Sequence, residues 1–314
     1  MLLKEISYYQ TGGTCDLLAS PGSVQELADV MSDIHADQTP YFLLGAGSNS
    51  LIMDDHWPGT VVTFERLKGL ATNGHQITAE AGVGNTQLTE HCLESGLSGA
   101  EWMYYLPGQL GATVRMNARC YGGEISRTVK TVTTVTQDGQ IKHYANQGIF
   151  LGYKDTIFMT NREVVASVDL ALKPGEPEEM QKRMDACRKD REQKHQFAHP
   201  SCGCVFKNDY TAGVPSGLLL DNADVREFNT DQVEISPWHA NFVFNRGASS
   251  RQILETALNM REAVYRKFGV WLTFEMEILG SVPDDLKNRV LESREPQLNE
   301  SEIDPLRTLF LSNQ

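Results

Sequence analysis

The sequence predicts a protein with both helices and strands, because stretches of helical periodicity and stretches of strand periodicity both occur along the chain. Two glycine-rich segments interrupt this pattern, YFLLGAGSNSLIM at 41–53 and LPGQLGATVRMNARCYGGEI at 106–125. The chain has 314 residues, more than one domain usually holds, so about two domains are expected. The glycine-rich segments are the first candidates for function.

The first part of the chain predicts a unit of βαββ type. Apolar residues recur at helical spacing over 24–36, directly after Ser23, a residue type that caps helix N-termini. Apolar runs at 41–44 and 59–64 predict strands on either side of the first glycine-rich segment.

The middle of the chain predicts a second mixed unit. A strand is expected at 76–81, a helix at 87–94, and alternating strands at 128–136 and 163–172. The segment 174–194 is strongly charged, but Met180, Met184 and Cys187 fall at helical spacing in it. It therefore predicts a solvent-exposed helix that leads to a third unit.

The last part of the chain predicts helices at 216–222 and 250–268, followed by a strand at 271–279. The apolar stripe of the helix at 250–268 is assigned to the core. Glu275 stands among large apolar residues of the predicted strand. Such a carboxylate is either the polar face of a half-buried strand or a group held in place for function, and both interpretations stay open.

Composition excludes several classes of function. The formal net charge of −13 and a pI near 5.1 argue against nucleic-acid or anionic-membrane binding as the main task. No apolar run approaches the ~18 residues that a membrane span needs. The start MLLKEISYYQ lacks the long apolar stretch of a signal peptide, so a cytoplasmic location is expected.

The six cysteines are widely spaced, which favours reduced thiols over a disulfide framework. His195, His199, Cys202 and Cys204 have the residue types of a zinc site, but C-x-C is tighter than the usual spacing and no second pair follows. A loop with incidental histidines is the favoured interpretation. No metal is expected.

The glycine-rich segments are typical of a site for a nucleotide cofactor. Glycine lets backbone amides approach an anionic ligand closely, and each segment also carries polar side chains, such as Asn49 and Asn117. A Rossmann motif is excluded because no G-x-G-x-x-G opens a helix of adequate length. A Walker A motif is excluded because G-K-[ST] is missing.

Eight sequence blocks, in this order, resemble those of the UDP-N-acetylenolpyruvoylglucosamine reductase (MurB) family. They are Gly12-Gly13, LGAGSN at 44–49, LPGQLGATVRMN at 106–117, YGGE at 121–124, YKDTIF at 153–158, GCVFKN at 203–208, HANF at 239–242 and FEMEILG at 274–280. The resemblance implies an FAD-binding half of the vanillyl-alcohol-oxidase (PCMH) type, made of two subdomains at 1–67 and 68–195. A C-terminal α+β substrate-binding domain at 196–280 and a tail at 281–314 would follow.

The resemblance also implies a reaction. In this family NADPH reduces the FAD, and flavin N5 then delivers a hydride to the β-carbon of UDP-N-acetylglucosamine enolpyruvate, which yields UDP-N-acetylmuramate for peptidoglycan synthesis. Negative charge develops on the α-carbon and carboxylate. The site must therefore provide a cation or acid beside the carboxylate and a proton donor at the α-carbon.

The matching positions imply site residues in this sequence. Lys154 and Glu275 would stabilise the carboxylate, and Cys204 would donate the proton. The implied FAD contacts are Gly45, Ala46, Gly47, Ser48, Asn49, Ser50, Leu51, Pro107, Gly108, Gly111, Ala112, Thr113, Asn117, Gly122 and Gly123. The implied substrate contacts are Tyr121, Tyr153, Arg191, Lys194, Lys207 and Asn208.

Several positions depart from the family pattern. Lys154 replaces an arginine and loses the planar fork that grips a carboxylate. Cys204 replaces a serine, and a thiol is the stronger acid. Arg119 and Cys120 replace a Gly-Ala pair, and Ala112 replaces a glycine. Residues 221–227 also differ from the family's usual EaaGLKG. The spacing of these blocks matches the shorter members, which lack an inserted loop with a tyrosine over the substrate.

The departures leave two alternatives open. One is a flavoenzyme of the same fold that reduces another unsaturated or carbonyl acid; the other is a non-catalytic nucleotide-binding homologue. The partner expected in the main interpretation is a small UDP-sugar substrate, with no nucleic acid and no membrane. A monomer or weak dimer is expected.

Overall fold

The computed structural model describes residues 2–312, in which helices and strands alternate as expected for an α+β fold. Its strands are β1 Cys15–Ala19, β2 Tyr41–Leu44, β3 Ser50–Ile52, β4 Trp57–Thr63, β5 Leu70–Asn73, β6 Gln76–Glu80, β7 Leu97–Ser98, β8 Arg119–Cys120, β9 Gly123–Glu124, β10 Val129–Val135, β11 Ile141–Ala145, β12 Phe150–Gly152, β13 Asp155–Thr156, β14 Val164–Ala171, β15 Lys173–Pro174, β16 Val233–Ile235, β17 Val243–Asn245 and β18 Glu277–Leu279. Its helices are α1 Val24–Ala36, α2 Asn85–Glu94, α3 Leu110–Arg115, α4 Ile157–Asn161, α5 Pro177–Gln193, α6 Ser216–Asp221, α7 Ser250–Phe268, α8 Asp284–Leu291 and α9 Glu300–Ser312.

The chain forms two compact units, each built from separated segments. The central unit comprises Cys15–Ala46 and Pro58–Gln193. The terminal unit comprises Met1–Thr14, Gly47–Trp57 and Lys194–Gln314. The four functional segments predicted from the sequence, 1–67, 68–195, 196–280 and 281–314, stay a prediction.

The central unit contains two sheets. In the smaller, ordered β1-β4-β2, Tyr41 of β2 pairs in parallel with Thr60 of β4. The larger is antiparallel and ordered β11-β10-β14-β6-β5. Helix α1 starts as predicted, since the Ser23 side chain accepts a hydrogen bond from the Glu26 amide. Its Leu27 and Met31 share a core with residues of both sheets.

Helix α5 confirms the helix predicted within 174–194, but one face of it is buried. Met180, Met184 and Cys187 are buried, so their helical spacing marks a packed face. Arg183 of this helix forms an ion pair of 2.7 Å with the buried carboxylate of Glu101. The helix is therefore part of the central unit and only partly solvated.

The terminal unit is built around α7, whose bounds match the prediction. Ser249 and Gln252 form a capping box at its start, and Ile253 and Leu254 are among its buried residues. Residues 281–312, predicted as a tail, contain α8 and α9 instead. Leu286, Ile303 and Leu306 from these helices are buried in the same core. The apolar positions of this stretch therefore serve packing.

The strand predicted at 271–279 is wrong for most of its length. Only Glu277–Leu279 is a strand, and it pairs in parallel with β3, with Ile278 opposite Leu51. The amides of Glu275 and Met276 both donate to the Val205 carbonyl, at 2.8 and 3.2 Å. Successive amides of an extended strand point in opposite directions, so the chain must bend here.

The remaining predicted elements are present with shifted bounds. The strands at 59–64, 76–81, 128–136 and 163–172 correspond to β4, β6, β10 and β14, and the helices at 87–94 and 216–222 to α2 and α6. Within residues 2–312, no helix combines the length and the apolar character needed to cross a membrane.

Candidate functional site

In the terminal unit, Asn49 of the first glycine-rich segment contacts the segment that carries Glu275. The Asn49 side-chain amide donates to the Glu275 carbonyl at 2.9 Å, and the Glu277 amide donates to the Asn49 carbonyl at 2.9 Å. The parallel pairing of β3 and β18 continues this contact. The structure thus brings together two predicted site residues that lie far apart in the sequence.

Cys204 lies beside the same segment. It is partly buried and forms a single antiparallel bridge with Phe242 of the HANF block. The next residue, Val205, donates to the Asn241 carbonyl at 2.9 Å and accepts the Glu275 amide. Cys204 and Glu275 are therefore held by the same backbone network.

Cys202 is a buried neighbour of this pair. Burial raises the pKa of the Cys202 thiol, and the charges of Cys204 and Glu275 raise it further. The Tyr9 hydroxyl beside it donates to the Val243 carbonyl at 2.7 Å. Cys202 is therefore a protonated thiol next to the predicted catalytic residues.

Lys207 and Asn208 shape the loop that follows Cys204. The Lys207 amide donates to the Thr273 carbonyl at 2.9 Å. Asn208 Oδ1 accepts the Ser216 amide at 3.0 Å, and the Ser216 hydroxyl donates to the Lys207 carbonyl at 2.6 Å. Both predicted substrate residues thus have a demonstrable structural role at the start of α6.

The four candidate zinc ligands have other surroundings. The His195 ring stacks on Trp238 at 4.1 Å, and the His199 ring meets Phe244 edge-on at 5.7 Å. In the part of the chain that the structure describes, no three His, Cys, Asp or Glu side chains group as metal ligands. None of the six cysteines, all within residues 2–312, forms a disulfide.

In the central unit, Lys154 occupies the turn between β12 and β13. Its φ is +50°, in the left-handed region that non-glycine residues seldom adopt. The Lys154 Nζ lies 5.8 Å from the centre of the Tyr153 ring, and the Arg119 guanidinium lies 5.1 Å from the same ring. Lys154 is in a different unit from Cys204 and Glu275.

Asn117 joins two loops of the central unit. It is 1% exposed, and its side-chain amide donates to Glu124 Oε1 at 3.0 Å and to the Gly152 carbonyl at 2.9 Å. The hairpin of β8 and β9 is thereby fixed to the turn that holds Lys154.

Tyr121 and Arg191 form a second cluster in the central unit. The Tyr121 hydroxyl donates to Asp190 at 2.7 Å, and burial together with this bond raises the pKa of Tyr121. The Arg191 guanidinium lies 5.0 Å from the Tyr121 ring and donates to Cys120 Sγ at 3.3 Å. Arg191 is buried, whereas Lys194, in the terminal unit, is exposed.

The glycines of the predicted cofactor segments differ in their surroundings. A Cβ at Gly111 would lie 2.7 Å from Ala81 Cβ, and one at Gly123 would lie 2.1 Å from the Trp102 ring, so both are needed for packing. Gly122 has a φ of +75° and open space around it. Gly47 and Gly108 also have positive φ, at +66° and +126°. Packing therefore accounts for only part of the glycine content.

The other predicted cofactor residues range from exposed to fully buried. Thr113 is buried and donates to Asn85 Oδ1 at 2.9 Å, and Leu51 is fully buried. Ala112 is exposed, and the rest are partly exposed, namely Gly45, Ala46, Ser48, Ser50 and Pro107. Leu51 could offer a cofactor only its backbone.

Two buried oxygens test whether a flavin nucleotide fits these segments. Gln109 Oε1 and Asn117 Oδ1 have no hydrogen-bond partner within residues 2–312. A Cβ at Gly45 would lie 3.3 Å from the Gln109 oxygen, so glycine leaves room beside it. FAD carries hydroxyl and N–H donors that such acceptors require, and the residues therefore fit the cofactor. Gln109 was not among the predicted residues, and its only signal in the sequence is its place inside the second glycine-rich segment.

Comparisons with known proteins show which family the chain resembles. A family model described as "UDP-N-acetylenolpyruvoylglucosamine reductase, C-terminal domain" matches residues 194–279, and one described as "FAD binding domain" matches residues 15–145. The UDP-N-acetylenolpyruvoylglucosamine reductase of Clostridium novyi (strain NT) is 31% identical over 89% of this chain and 91% of its own. That of Pediococcus pentosaceus is 32% identical over 88% and 92%.

A solved structure extends the likeness to three dimensions. The crystal structure of UDP-N-acetylenolpyruvylglucosamine reductase from Thermus caldophilus superposes with a TM-score of 0.75 and 28% identity. The match covers 89% of this chain and 97% of that one. The likeness therefore includes segments of both units.

Proposed function

Since this chain belongs to the UDP-N-acetylenolpyruvoylglucosamine reductase family, we propose that it reduces UDP-N-acetylglucosamine enolpyruvate to UDP-N-acetylmuramate with NADPH. It is an FAD-dependent oxidoreductase of peptidoglycan precursor synthesis. When bound, the flavin would carry the hydride from NADPH to the substrate's β-carbon. The product would enter cell-wall biogenesis, so its loss is expected to affect cell shape and division.

The observation that best supports this proposal is the shared backbone network of Cys204 and Glu275. Val205 follows Cys204 directly and accepts the Glu275 amide at 2.8 Å. The reaction needs a proton donor and a group that stabilises the negative carboxylate. In the proposal, Cys204 Sγ delivers the proton to the α-carbon, Lys154 stabilises the negative charge as a cation, and Glu275 stabilises it as an acid that donates a hydrogen bond.

The buried oxygens support the proposed flavin contacts. Gln109 Oε1 and Asn117 Oδ1 would accept hydrogen bonds from cofactor donors, which removes the cost of burying them unpaired. The positive φ of Gly122 together with its open surroundings leaves its backbone accessible to a ligand. The fifteen contacts named from the sequence remain the proposed set, with Gln109 added.

The cationic and aromatic side chains are assigned to the UDP-sugar. Arg191 and Lys194 would meet phosphate oxygens, and Tyr121 and Tyr153 offer rings for packing, while Lys207 and Asn208 shape the loop after Cys204. The net charge of −13 makes such local positive charge necessary for an anionic substrate. The enzyme is proposed to act in the cytoplasm as a monomer or weak dimer.

An anaerobic stopped-flow experiment tests the function directly. Flavin absorbance is followed while NADPH and then enolpyruvyl UDP-N-acetylglucosamine are added to the holoenzyme. The proposal expects bleaching by NADPH and rapid return with the sugar nucleotide. Bleaching without return would point to another unsaturated or carbonyl acid. If the purified protein retains no flavin, the remaining interpretation is a non-catalytic nucleotide-binding homologue.

A further inference from the structure

Two departures from the family pattern contact the same tyrosine ring. Arg119 stands where the family has glycine, and Lys154 stands where the family has arginine. The Arg119 Cζ lies 5.1 Å and the Lys154 Nζ 5.8 Å from the centre of the Tyr153 ring. Position 154 thus lacks the guanidinium that the family has there, but the guanidinium of Arg119 lies over the same ring as Lys154.

The backbone fixes the positions of both cations. Arg119 lies in β8 and pairs with Glu124 of β9. Asn117 donates to Glu124 Oε1 at 3.0 Å and to the Gly152 carbonyl at 2.9 Å, so it ties this hairpin to the turn that carries Lys154. Arg119 is thus anchored relative to Lys154 by a buried residue.

The surroundings favour an anionic ligand. Burial raises the pKa of Cys120, and the positive charges of Arg191 and Lys154 act against this rise, so both cations lie near that thiol. Two carboxylates lie nearby. Glu124 accepts hydrogen bonds from Ser126 and Asn117, which together with the charge of Arg119 lower its pKa, and Asp190 accepts a hydrogen bond from Tyr121. In a chain with a net charge of −13, an anionic ligand needs such a local group of cations.

We propose that Arg119 binds the carboxylate of the substrate together with Lys154. The guanidinium can form two parallel hydrogen bonds to a carboxylate, which the ammonium of Lys154 cannot do. The pair would thus divide between two residues what one arginine does elsewhere in the family. This inference rests on the proposed function and adds a carboxylate-binding residue to it.

The test compares two ligands that differ in the carboxylate. Isothermal calorimetry on the oxidised holoenzyme measures the Kd of UDP-N-acetylmuramate, which carries the carboxylate, and of UDP-N-acetylglucosamine, which lacks it. Arg119→Ala is expected to raise the Kd of UDP-N-acetylmuramate at least about tenfold, the scale of a charged hydrogen bond. The Kd of UDP-N-acetylglucosamine should change less than about twofold. Lys130→Ala removes a positive charge from β10 of the same unit and is expected to change neither.

A double variant separates charge from geometry. Arg119→Ala in a Lys154→Arg background is expected to recover most of the lost affinity, because the fork returns at position 154. Flavin content and circular dichroism are measured on every variant. Loss of flavin in Arg119→Ala would show a cofactor contact and overturn the inference, as would equal weakening of both ligands or no weakening at all.

The same data distinguish the two proposals. A wild type that discriminates the ligands and is reoxidised by the enolpyruvyl substrate, with Arg119→Ala unchanged, would overturn only the role of Arg119. A wild type that binds neither ligand would overturn the proposed function, and the inference with it.

Discussion

The backbone amide of Asn241 donates a hydrogen bond to Nδ1 of His239, at 3.2 Å. Nδ1 therefore carries no proton, and the ring is neutral in this arrangement. The Asn241 side chain in turn brackets Phe206, accepting its amide at 2.9 Å and donating to its carbonyl at 2.8 Å. Protonation of His239 at Nδ1 would break the hydrogen bond from the Asn241 amide. Asn241 in turn holds Phe206, which lies two residues after Cys204.

This contact predicts a loss of stability in acid. Burial lowers the pKa of His239 from its usual 6.5; Lys194 and Arg226 also lower it, while Asp221 opposes them. Below pH 6.5 the unfolded chain binds a proton that the native ring rejects, so the free energy of unfolding falls as the pH drops toward the native pKa. The decline is at most about 1.4 kcal/mol per pH unit.

Urea unfolding at pH 7.5 and 5.5 measures this effect. His239→Gln is expected to lose less stability across that interval than the wild type. His75→Gln, which changes an exposed histidine, serves as the control and should behave as the wild type does. An identical pH dependence in wild type and His239→Gln would contradict the prediction.

Replacement of Cys204 is expected to separate the two half-reactions. Cys204→Ala should leave flavin reduction by NADPH nearly unchanged and slow reoxidation by the enolpyruvyl substrate at least about 10²-fold, the usual scale for a positioned acid. Stopped-flow absorbance measures both rates. Equal loss in both would show that Cys204 has only a structural role.

Alkylation provides an independent check on the same residue. Cys204 is partly exposed, whereas Cys202 is buried with a raised pKa, so iodoacetamide should modify Cys204 before Cys202. Mass spectrometry after limited labelling identifies the modified thiol. Bound UDP-N-acetylmuramate should slow that labelling.

Lys154→Arg restores the residue type of the family and is expected to preserve or raise kcat/KM. The turn already accepts a long cationic side chain at a φ of +50°, so the exchange adds no new backbone strain. Steady-state kinetics with circular dichroism as a folding control measure the outcome. A folded variant with activity reduced more than about tenfold would exclude a carboxylate role for this position.

Local signals predicted the helices well. Helices α1 and α7 have the predicted bounds, because Ser23 and Ser249 cap them and their apolar stripes are regular. The pairing of Ile278 with Leu51 was not predictable in this way, since it joins residues far apart in the sequence and three-residue strands have little periodicity. The bend at Glu275 depends on one shared acceptor, the Val205 carbonyl, which no local pattern encodes.

The candidate site residues were proposed mainly through the family resemblance. Residue types alone could not show that Asn49 contacts the Glu275 carbonyl or that Arg191 turns inward onto Tyr121. The sequence also could not show why each glycine is present. Gly123 is closely packed, whereas Gly122 has open space around it.

These two adjacent glycines predict different costs of substitution. In Gly123→Ala the Cβ would overlap the buried Trp102 ring, which should cost about 1–3 kcal/mol or more. In Gly122→Ala nothing lies within 4 Å, so only the positive φ matters and the expected cost is about 1 kcal/mol. Urea unfolding compares the pair, and equal costs would contradict the packing argument.

Asp54 is expected to stabilise the terminal unit through helix α7. Its carboxylate accepts the Gly12 amide at 3.0 Å, the Ser250 amide at 2.6 Å and the Ser250 hydroxyl at 2.9 Å. It thus places a negative charge at the first turn of the helix while linking three segments of the chain. Asp54 is solvent-exposed, so the loss of these bonds in Asp54→Ala should lower the free energy of unfolding by only about 1–2 kcal/mol. The control is Asp55→Ala, at the adjacent exposed position, which should change the free energy of unfolding by less than about 0.5 kcal/mol in the same urea titration. Equal effects of the two substitutions would show that the loss comes from the removed charge and not from these hydrogen bonds.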